Sequence, residues 1–463
     1  MIRLFDSVLG DVRELELRDP GRISMYVCGP TVYDLPHLGH GRLTLVWDVA
    51  RRWYTFRGYV VDYVSNVTDI DDNIIKRALR EGTTEPQVAA RFEQEWWDAM
   101  DLLGVARPSQ VPHATRYVED MVELVSSFLD RDIGYTTSDG VYFDVSRVAD
   151  YGLLAGQALD SLRSGARVEA NDEKRSPLDF AIWKFAKPGE PSWPAPFGDG
   201  RPGWHTECVV MSLDLLGEGF DLHVGGLDLR FPHHENERAQ AVAAGRDFTH
   251  HWSHSGWVMV GDEKMSKSLG NFTSLTNMLG QADPRAYRLL VLRSHYRSPI
   301  EVTTETIADA QRALVRLDTL ARRFDLPELA GDAMVIGSDY NWSGLAGALY
   351  EGVALVLDDD LNTPLAVAQL FEAVSAANAA GDRGDDAVAH ELAGAVAVLF
   401  GALGLALRAS ADAADGDTQV LVGARDLARA SEDWAEADRL RAALEERGWV
   451  VEDSASGTLI RRP

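Results

Sequence analysis

From Ile23 to Val27 apolar residues alternate with others, the two-residue period of a strand, and Gly29-Pro30 stops it. From about Gly39 the apolar positions Leu43, Val46, Val49, Trp53 and Phe56 recur at helical spacing as far as Gly58. The run "YVVDYV", residues 59 to 64, predicts a second, buried strand. Strand, turn, helix and strand in this order form a βαβ unit, which implies a parallel sheet. Ligands of such sheets sit beyond the carboxyl ends of the strands, where His37 and His40 fall.

Residues 84 to 131 read as helical, with Phe92, Trp96 and Trp97 as core candidates. Residues 135 to 200 are less regular: "GYTTSDGVYFDV" predicts a hairpin, and Lys187 to Gly203 is rich in proline and glycine. This stretch reads as an insertion into the α/β domain, which resumes at "GWHTECVVMSLDLLG" and "FDLHVGG". After Arg293 the pattern is helical to about Leu407. The apolar run Leu392 to Leu407 is broken by Gly394, Gly401 and Gly404 and is too short to span a bilayer. An acidic, alanine-rich linker, residues 408 to 419, precedes a last helix pair ending in "GWVVEDSASGTLIRRP". No repeat at solenoid period is present.

A length of 463 residues exceeds one ordinary core and predicts several domains. The 46% hydrophobic and 25% charged residues are those of an ordinary globular protein. A net charge of −27 argues against coating nucleic acid by bulk electrostatics, so any RNA contact is expected to be local and salt-sensitive. The only cysteines are Cys28 and Cys208, and "MIRLFDSVLGDVRELELRD" does not read as a signal or transit peptide. The expectation is a reducing, cytoplasmic setting.

Chemistry enters with His37-Leu38-Gly39-His40 at the predicted helix start. Free amides and the helix dipole favour anions there, Gly39 lets a base or ribose approach the backbone, and two imidazoles could donate to phosphate oxygens. Taken alone, two turn histidines are the simpler reading. The stretch "GDEKMSKSLGN", residues 261 to 271, adds Lys264 and Lys267 on a polar loop, where two ammonium groups could meet the β- and γ-phosphates of ATP. Together the two motifs resemble the active site of the class I aminoacyl-tRNA synthetases. The resemblance implies that His37, His40, Lys264 and Lys267 bind ATP and stabilise the transition state of adenylate formation.

His233 and Glu237, spaced i and i+4, share one helix face. With Cys28 and Cys208 they make a donor set able to hold one Zn²⁺; His234 and Glu235 are weaker candidates. Spacing alone leaves two buried apolar cysteines and a capping histidine as a competing reading. "MYVCGPTVYDLPHLGH", "NVTDIDDNIIKRA", "RPGWHTEC", "GLDLRFPHHENE" and "EKMSKSLGN" resemble the cysteinyl-tRNA synthetase family over nearly the whole chain. That resemblance implies that Cys28, Cys208, His233 and Glu237 hold a zinc that binds the substrate thiolate. Cysteine and serine differ by one atom, which a packing pocket separates by only about 1–3 kcal/mol. A metal that prefers thiolate to hydroxyl separates them further, and no large editing domain is evident.

The resemblance also implies roles for Gly29, Thr31 and Trp204 toward cysteine, and for Gly39, His40, Gly226, Asp228 and Lys267 toward ATP, with Mg²⁺ arriving alongside ATP. "TDIDD", Thr68 to Asp72, reads as a polar cap near the site more than as a magnesium cluster. Val224 stands where the family commonly has glycine, which puts close approach of ATP there in doubt; Thr206 and Val209 also depart from the family pattern. The expected architecture is α/β, with a parallel-sheet Rossmann-like catalytic domain in two halves (1–118 and 201–254) around an inserted domain (119–200). A lysine-loop and stem-contact region (255–312), an α-helical bundle for the tRNA anticodon arm (313–408) and a small anticodon-recognition domain (420–463) complete it. Arg429, Asp438 and Asp453 match polar family positions that could meet anticodon bases. The reading is a cysteine–tRNA ligase family member, expected to be a monomer. The rivals are a mycothiol-type cysteine ligase acting on a glucosaminyl-inositol, and a non-catalytic RNA-binding paralogue.

Overall fold

Four short strands with few charges, Arg22–Val27, Val60–Ser65, Phe220–Gly226 and Thr249–Ser255, pair as one parallel sheet at the centre of the molecule. Their spatial order is Thr249–Ser255, Phe220–Gly226, Arg22–Val27, Val60–Ser65, with Val27 opposite both Val224 and Ser65. A computed structural model describes residues 1–156, 173–259, 274–329, 340–409, 416–454 and 457–461. The helix Leu38–Phe56 makes the first crossover and buries Leu45, Trp47, Val49 and Trp53 in the main core.

Along the chain, the two halves of the parallel sheet are separated by an antiparallel sheet of four strands, Gly134–Thr136, Gly140–Phe143, Phe180–Phe185 and Gly200–Pro202. It has its own core of Phe128, Val141, Phe143, Ile182 and Trp183. The stretch expected to be one helical region from 84 to 131 forms two helices, Glu85–Leu102 and Val118–Asp130. Gly104, in the left-handed region, and Pro108 and Pro112 separate them. Phe92 and Trp96 are buried, whereas Trp97 is half-buried beneath the Arg107 guanidinium.

The helices Thr304–Arg323, Gly344–Leu357, Thr363–Asp382 and Asp386–Ala402 form a bundle whose core runs on into that of the parallel sheet. A buried charge cluster joins them: Asp48 accepts from Arg52 at 2.9 Å and Arg288 at 2.8 Å, and Arg288 also donates to the carbonyls of Leu103, Gly104 and Leu403. Full hydrogen bonding of both partners is what makes such a burial tolerable. At the end of the chain, helices Gly416–Ala430 and Trp434–Glu446 are followed by a hairpin, Val450–Ser454 with Gly457–Arg461. The sequence pattern there predicts only the helix pair. No helix among the described residues is long and apolar enough to cross a membrane.

Candidate functional site

The first turn of helix Leu38–Phe56 opens beside the carboxyl ends of the central strands. His37 is its N-cap: His37 Nδ1 accepts from the His40 amide at 3.2 Å, and His40 Nδ1 accepts from the His37 amide at 3.3 Å. Both Nδ1 atoms act as acceptors, so each neutral ring carries its proton on Nε2. The rings stack with centroids 3.5 Å apart. Burial lowers His37, partly offset by Asp228, and drops His40 to about 3, with His37 adding to the shift. Two neutral Nε2–H donors at a helix N-terminus suit an anionic ligand without placing a fixed cation against it.

Cys28, on the residue after strand Arg22–Val27, comes within 3.8 Å of Cys208 (Sγ to Sγ). Cys208 lies on helix Trp204–Leu216. Its Sγ is 3.6 Å from His233 Nε2, and Cys28 Sγ is 3.7 Å from Glu237 Oε1. His233 sits in the helical turn Arg230–His234 that runs into helix Glu235–Ala244, and its Nε2 is 2.9 Å from Glu237 Oε1. All four side chains are buried. Tetrahedral donors about 2.0–2.3 Å from a shared ion lie roughly 3.3–3.8 Å apart. The three sulfur distances match that spacing, and the closer His–Glu pair is hydrogen-bonded. The group could therefore hold a metal ion.

The local electrostatics agree. Burial would push Glu237 up, but His233 and His223 outweigh it and hold the carboxyl well below the usual range. Burial would likewise lower His233, yet Glu237 and Cys208 raise it to about 10. Burial and the adjoining Cys208 push the Cys28 thiol well up. Glu237 stays ionised in this dry site with His233 as the cation beside it, the charge that a metal ion bound to the thiolates would supply in its place.

Sequence reasoning missed the groups that brace this cluster. His205 Nδ1 lies 2.8 Å from His233 Nδ1, and His223 Nε2 lies 2.7 Å from Glu237 Oε2. His234, set aside above as a weaker candidate, is fully buried and bonded to His254 at 2.9 Å. With Cys28, His223 and Glu237 it forms a second, overlapping set of donors close enough for a metal. The i, i+4 rule favoured one face only, but the turn at Arg230–His234 is not regular helix, since Phe231 has extended φ and ψ.

This cluster lies behind the floor of a cavity of about 650 Å³ and reaches its lining through Cys28, with Gly29, Thr31, His37, Gly39, His40, Trp204, Gly226, Asp228 and the segment Ser255–Val258 lining the rest. Trp204 stacks on His233 with centroids 3.9 Å apart. Gly29 is required where it stands, because a Cβ there would lie 1.7 Å from the Asn66 carbonyl oxygen. A Cβ on Gly226 would come within 2.4 Å of Asp228 Oδ1. Val224 points into the core and is wholly buried, away from this lining. Thr206 bonds Gln240 at 2.9 Å, and Val209 is core. The "TDIDD" carboxylates are engaged as structural acceptors: Asp69 by Thr115, Asp71 as the cap of helix Asp72–Glu81, and Asp72 by Lys184 and Arg201. Lys264 and Lys267 lie outside the described residues. Arg429 and Asp453 pair with each other at 2.9 Å, and Arg425 also reaches Asp453 at 2.8 Å. Asp438 is exposed on helix Trp434–Glu446.

A parallel sheet carrying an inserted domain and a helical tail is the fold of the class I aminoacyl-tRNA synthetases. The structure of Mycobacterium tuberculosis methionyl-tRNA synthetase in complex with methionyl-adenylate matches with a TM-score of 0.59 at 15% identity, over 82% of this chain and 89% of that one. The ternary complex of Agrobacterium radiobacter LeuRS, tRNA and LeuAMS matches with a TM-score of 0.60 at 12% identity, over 84% of each chain. Residues 14–312 match the class I (C) tRNA synthetase catalytic domain, 354–408 the DALR domain, and 411–461 the cysteinyl-tRNA ligase anticodon binding domain. The cysteine–tRNA ligases of Alkalilimnicola ehrlichii and Chromobacterium violaceum are 43% and 42% identical over 100% of this chain and 100% of theirs. The chain belongs to the cysteine–tRNA ligase family.

Proposed function

We propose that the protein activates cysteine with ATP to cysteinyl-adenylate, releasing pyrophosphate, and transfers the cysteinyl group to the 3′ end of a cysteine tRNA. The observation that carries this reading is the four-donor cluster behind the floor of the cavity beneath the His37–His40 helix start, in a chain of this family. Cys28, Cys208, His233 and Glu237 would hold Zn²⁺, which when bound would supply a borderline-soft Lewis acid for the substrate thiolate.

Gly29 and Thr31 then face the amino acid's backbone groups, and Trp204 closes the side of a small pocket. Gly39 admits the nucleotide to the helix start, and the Nε2–H groups of His37 and His40 donate to phosphate oxygens as charge shifts during attack of the carboxylate on the α-phosphate. Asp228, beside Gly226, accepts from ribose hydroxyls or the substrate ammonium. Lys264 and Lys267 meet the leaving pyrophosphate, with Mg²⁺ carried by ATP. No protein nucleophile is needed, because positioning and charge stabilisation suffice. Helices 304–402 support the anticodon arm, and Arg429, Asp438 and Asp453 lie on the segment that matches the anticodon binding domain. We expect a cytoplasmic monomer.

The test is transfer of labelled cysteine, with ATP, to a tRNA bearing the cysteine anticodon, with a glucosaminyl-inositol acceptor in parallel. Charging of the tRNA alone supports the proposal; labelling of the sugar alone overturns it in favour of the mycothiol-type ligase.

A further inference from the structure

Arg42, two residues beyond His40, is among the largest fully buried side chains of the molecule. Its Nη1 donates to the Trp257 carbonyl at 2.6 Å, and its Nη2 to the carbonyls of Tyr296 at 3.2 Å, His295 at 3.4 Å and Ser298. Among the described residues no carboxylate pairs with it, and burial pushes its guanidinium down to about 10. A guanidinium neutralised by carbonyl dipoles alone is an expensive way to fill space, since an apolar side chain would pack there without the desolvation cost.

What the guanidinium grips is specific. The Trp257 carbonyl also accepts from the Ile300 amide at 2.9 Å, and the Tyr296 carbonyl from the Gly256 amide at 2.7 Å. Arg42 therefore sits under the junction between the segment Ser255–Met259 and the segment 295–301, which pair in parallel at Val258–Met259. Its own helix supplies one wall of the cavity, through Leu38, Gly39, His40 and Leu43; Ser255 to Val258 supply another.

We infer that Arg42 is a positioning residue for the nucleotide: it fixes the Ser255–Val258 wall at a set separation from the His37–His40 helix start, so that the slot between them is preformed. The inference rests on the reading that this cavity takes ATP. It assigns Arg42 no contact with substrate. It places the effect at the nucleotide end of the cavity, while the Cys28–Cys208–His233–Glu237 cluster is braced by other residues.

The test is cysteine-dependent ATP–pyrophosphate exchange by the full-length, metal-loaded protein and by Arg42→Met and Arg42→Lys. A displaced wall raises the KM for ATP by about tenfold or more in Arg42→Met. The KM for cysteine and the metal content stay within about twofold of the unsubstituted protein, since neither depends on that wall. Arg42→Lys recovers part of the loss, because an ammonium can serve some of the same carbonyls. A second variant guards against a misfolded core. In Gly256→Ala the new Cβ would lie 2.6 Å from the carbonyl oxygens of Arg297 and Ser298, displacing the same wall with Arg42 intact. It is expected to show the same selective rise. A fall in kcat with the KM for ATP unchanged, an equal rise for cysteine, or an ordinary ATP KM in Gly256→Ala overturns the inference. Absence of exchange in the unsubstituted protein overturns the functional reading beneath it.

Discussion

Cys208 reaches its neighbours through sulfur alone, 3.8 Å from Cys28 and 3.6 Å from His233. Replacing it with serine keeps the shape of the side chain, slightly shortened, and removes the soft donor. Cys208→Ser is expected to weaken metal binding by more than the roughly 10–100-fold typical of losing an outer partner, and to weaken cysteine binding with it. Metal analysis after dialysis, alongside cysteine titration, checks both; full metal occupancy would remove Cys208 from the ligand set. A second residue-scale prediction concerns pH. His254, buried against Ser7 and His234, is lowered to about 3, chiefly by burial. Because its folded pKa lies below the ordinary value near 6.5, the unfolded chain binds the extra proton, and stability is lost as pH falls from about 6.5 toward 3. His254→Asn should make the fall in unfolding free energy shallower by up to about 1.4 kcal/mol per pH unit between roughly pH 6 and 4. Denaturant titrations across that range read the slope, and an unchanged slope would show that His254 is not a group the fold holds neutral. None of this was legible from composition. His223 and His205 are marked by nothing in their local sequence, because what makes them braces is the pairing of Tyr26 with His223 and the approach of two separate helices.

At the scale of elements, the βαβ unit was readable because strand and helix periods differ and Gly29-Pro30 and Gly58 punctuate them. The terminal hairpin was not read, although Gly457 sits in the left-handed region at its turn, since two five-residue strands carry little alternation beside two longer helices. Docking of the inserted sheet was equally hidden. Asp72, at the start of helix Asp72–Glu81, accepts from Lys184 at 2.8 Å and from Arg201, each on a different strand of that sheet. Burial opposes ionisation of Asp72, but the hydrogen bonds from Lys184 and Arg201 prevail and hold it at about 2. A depressed carboxyl contributes stability above its ordinary value near 3.9, and that contribution disappears as pH falls toward 2. Asp72→Asn should therefore quicken amide exchange across Phe180–Phe185 while leaving the helix Leu38–Phe56 protected. Equal exchange in both proteins would mean that apolar contacts alone hold the inserted sheet in place.

At the scale of the whole molecule, the hydrophobic cores define what can be separated. One continuous core runs from the parallel sheet through Tyr287 and Leu317 to Phe400 and Leu407, so the helical bundle and the cavity belong to one body. The last segment has small clusters of its own, Leu444 with Trp449, Val451 and Ile460, and Ala428 with Ala437 and Leu440. Arg322 reaches across to Glu452 at 3.3 Å, a partly exposed ion pair of the kind that contributes little to stability. A chain ending at Ala409 should therefore keep its fold and its adenylate chemistry, with ATP–pyrophosphate exchange within about twofold of the full chain. Charging of tRNA should fall much further, and through KM for tRNA more than through kcat. The rest of a molecule of net charge −27 offers RNA little attraction, so the lost contacts are not replaced. For the same reason, charging by the full chain should weaken steeply as salt rises while exchange barely changes. Loss of exchange and charging together in the shortened chain would show instead that the terminal segment supports the cavity, and that the separation of cores is not a separation of tasks.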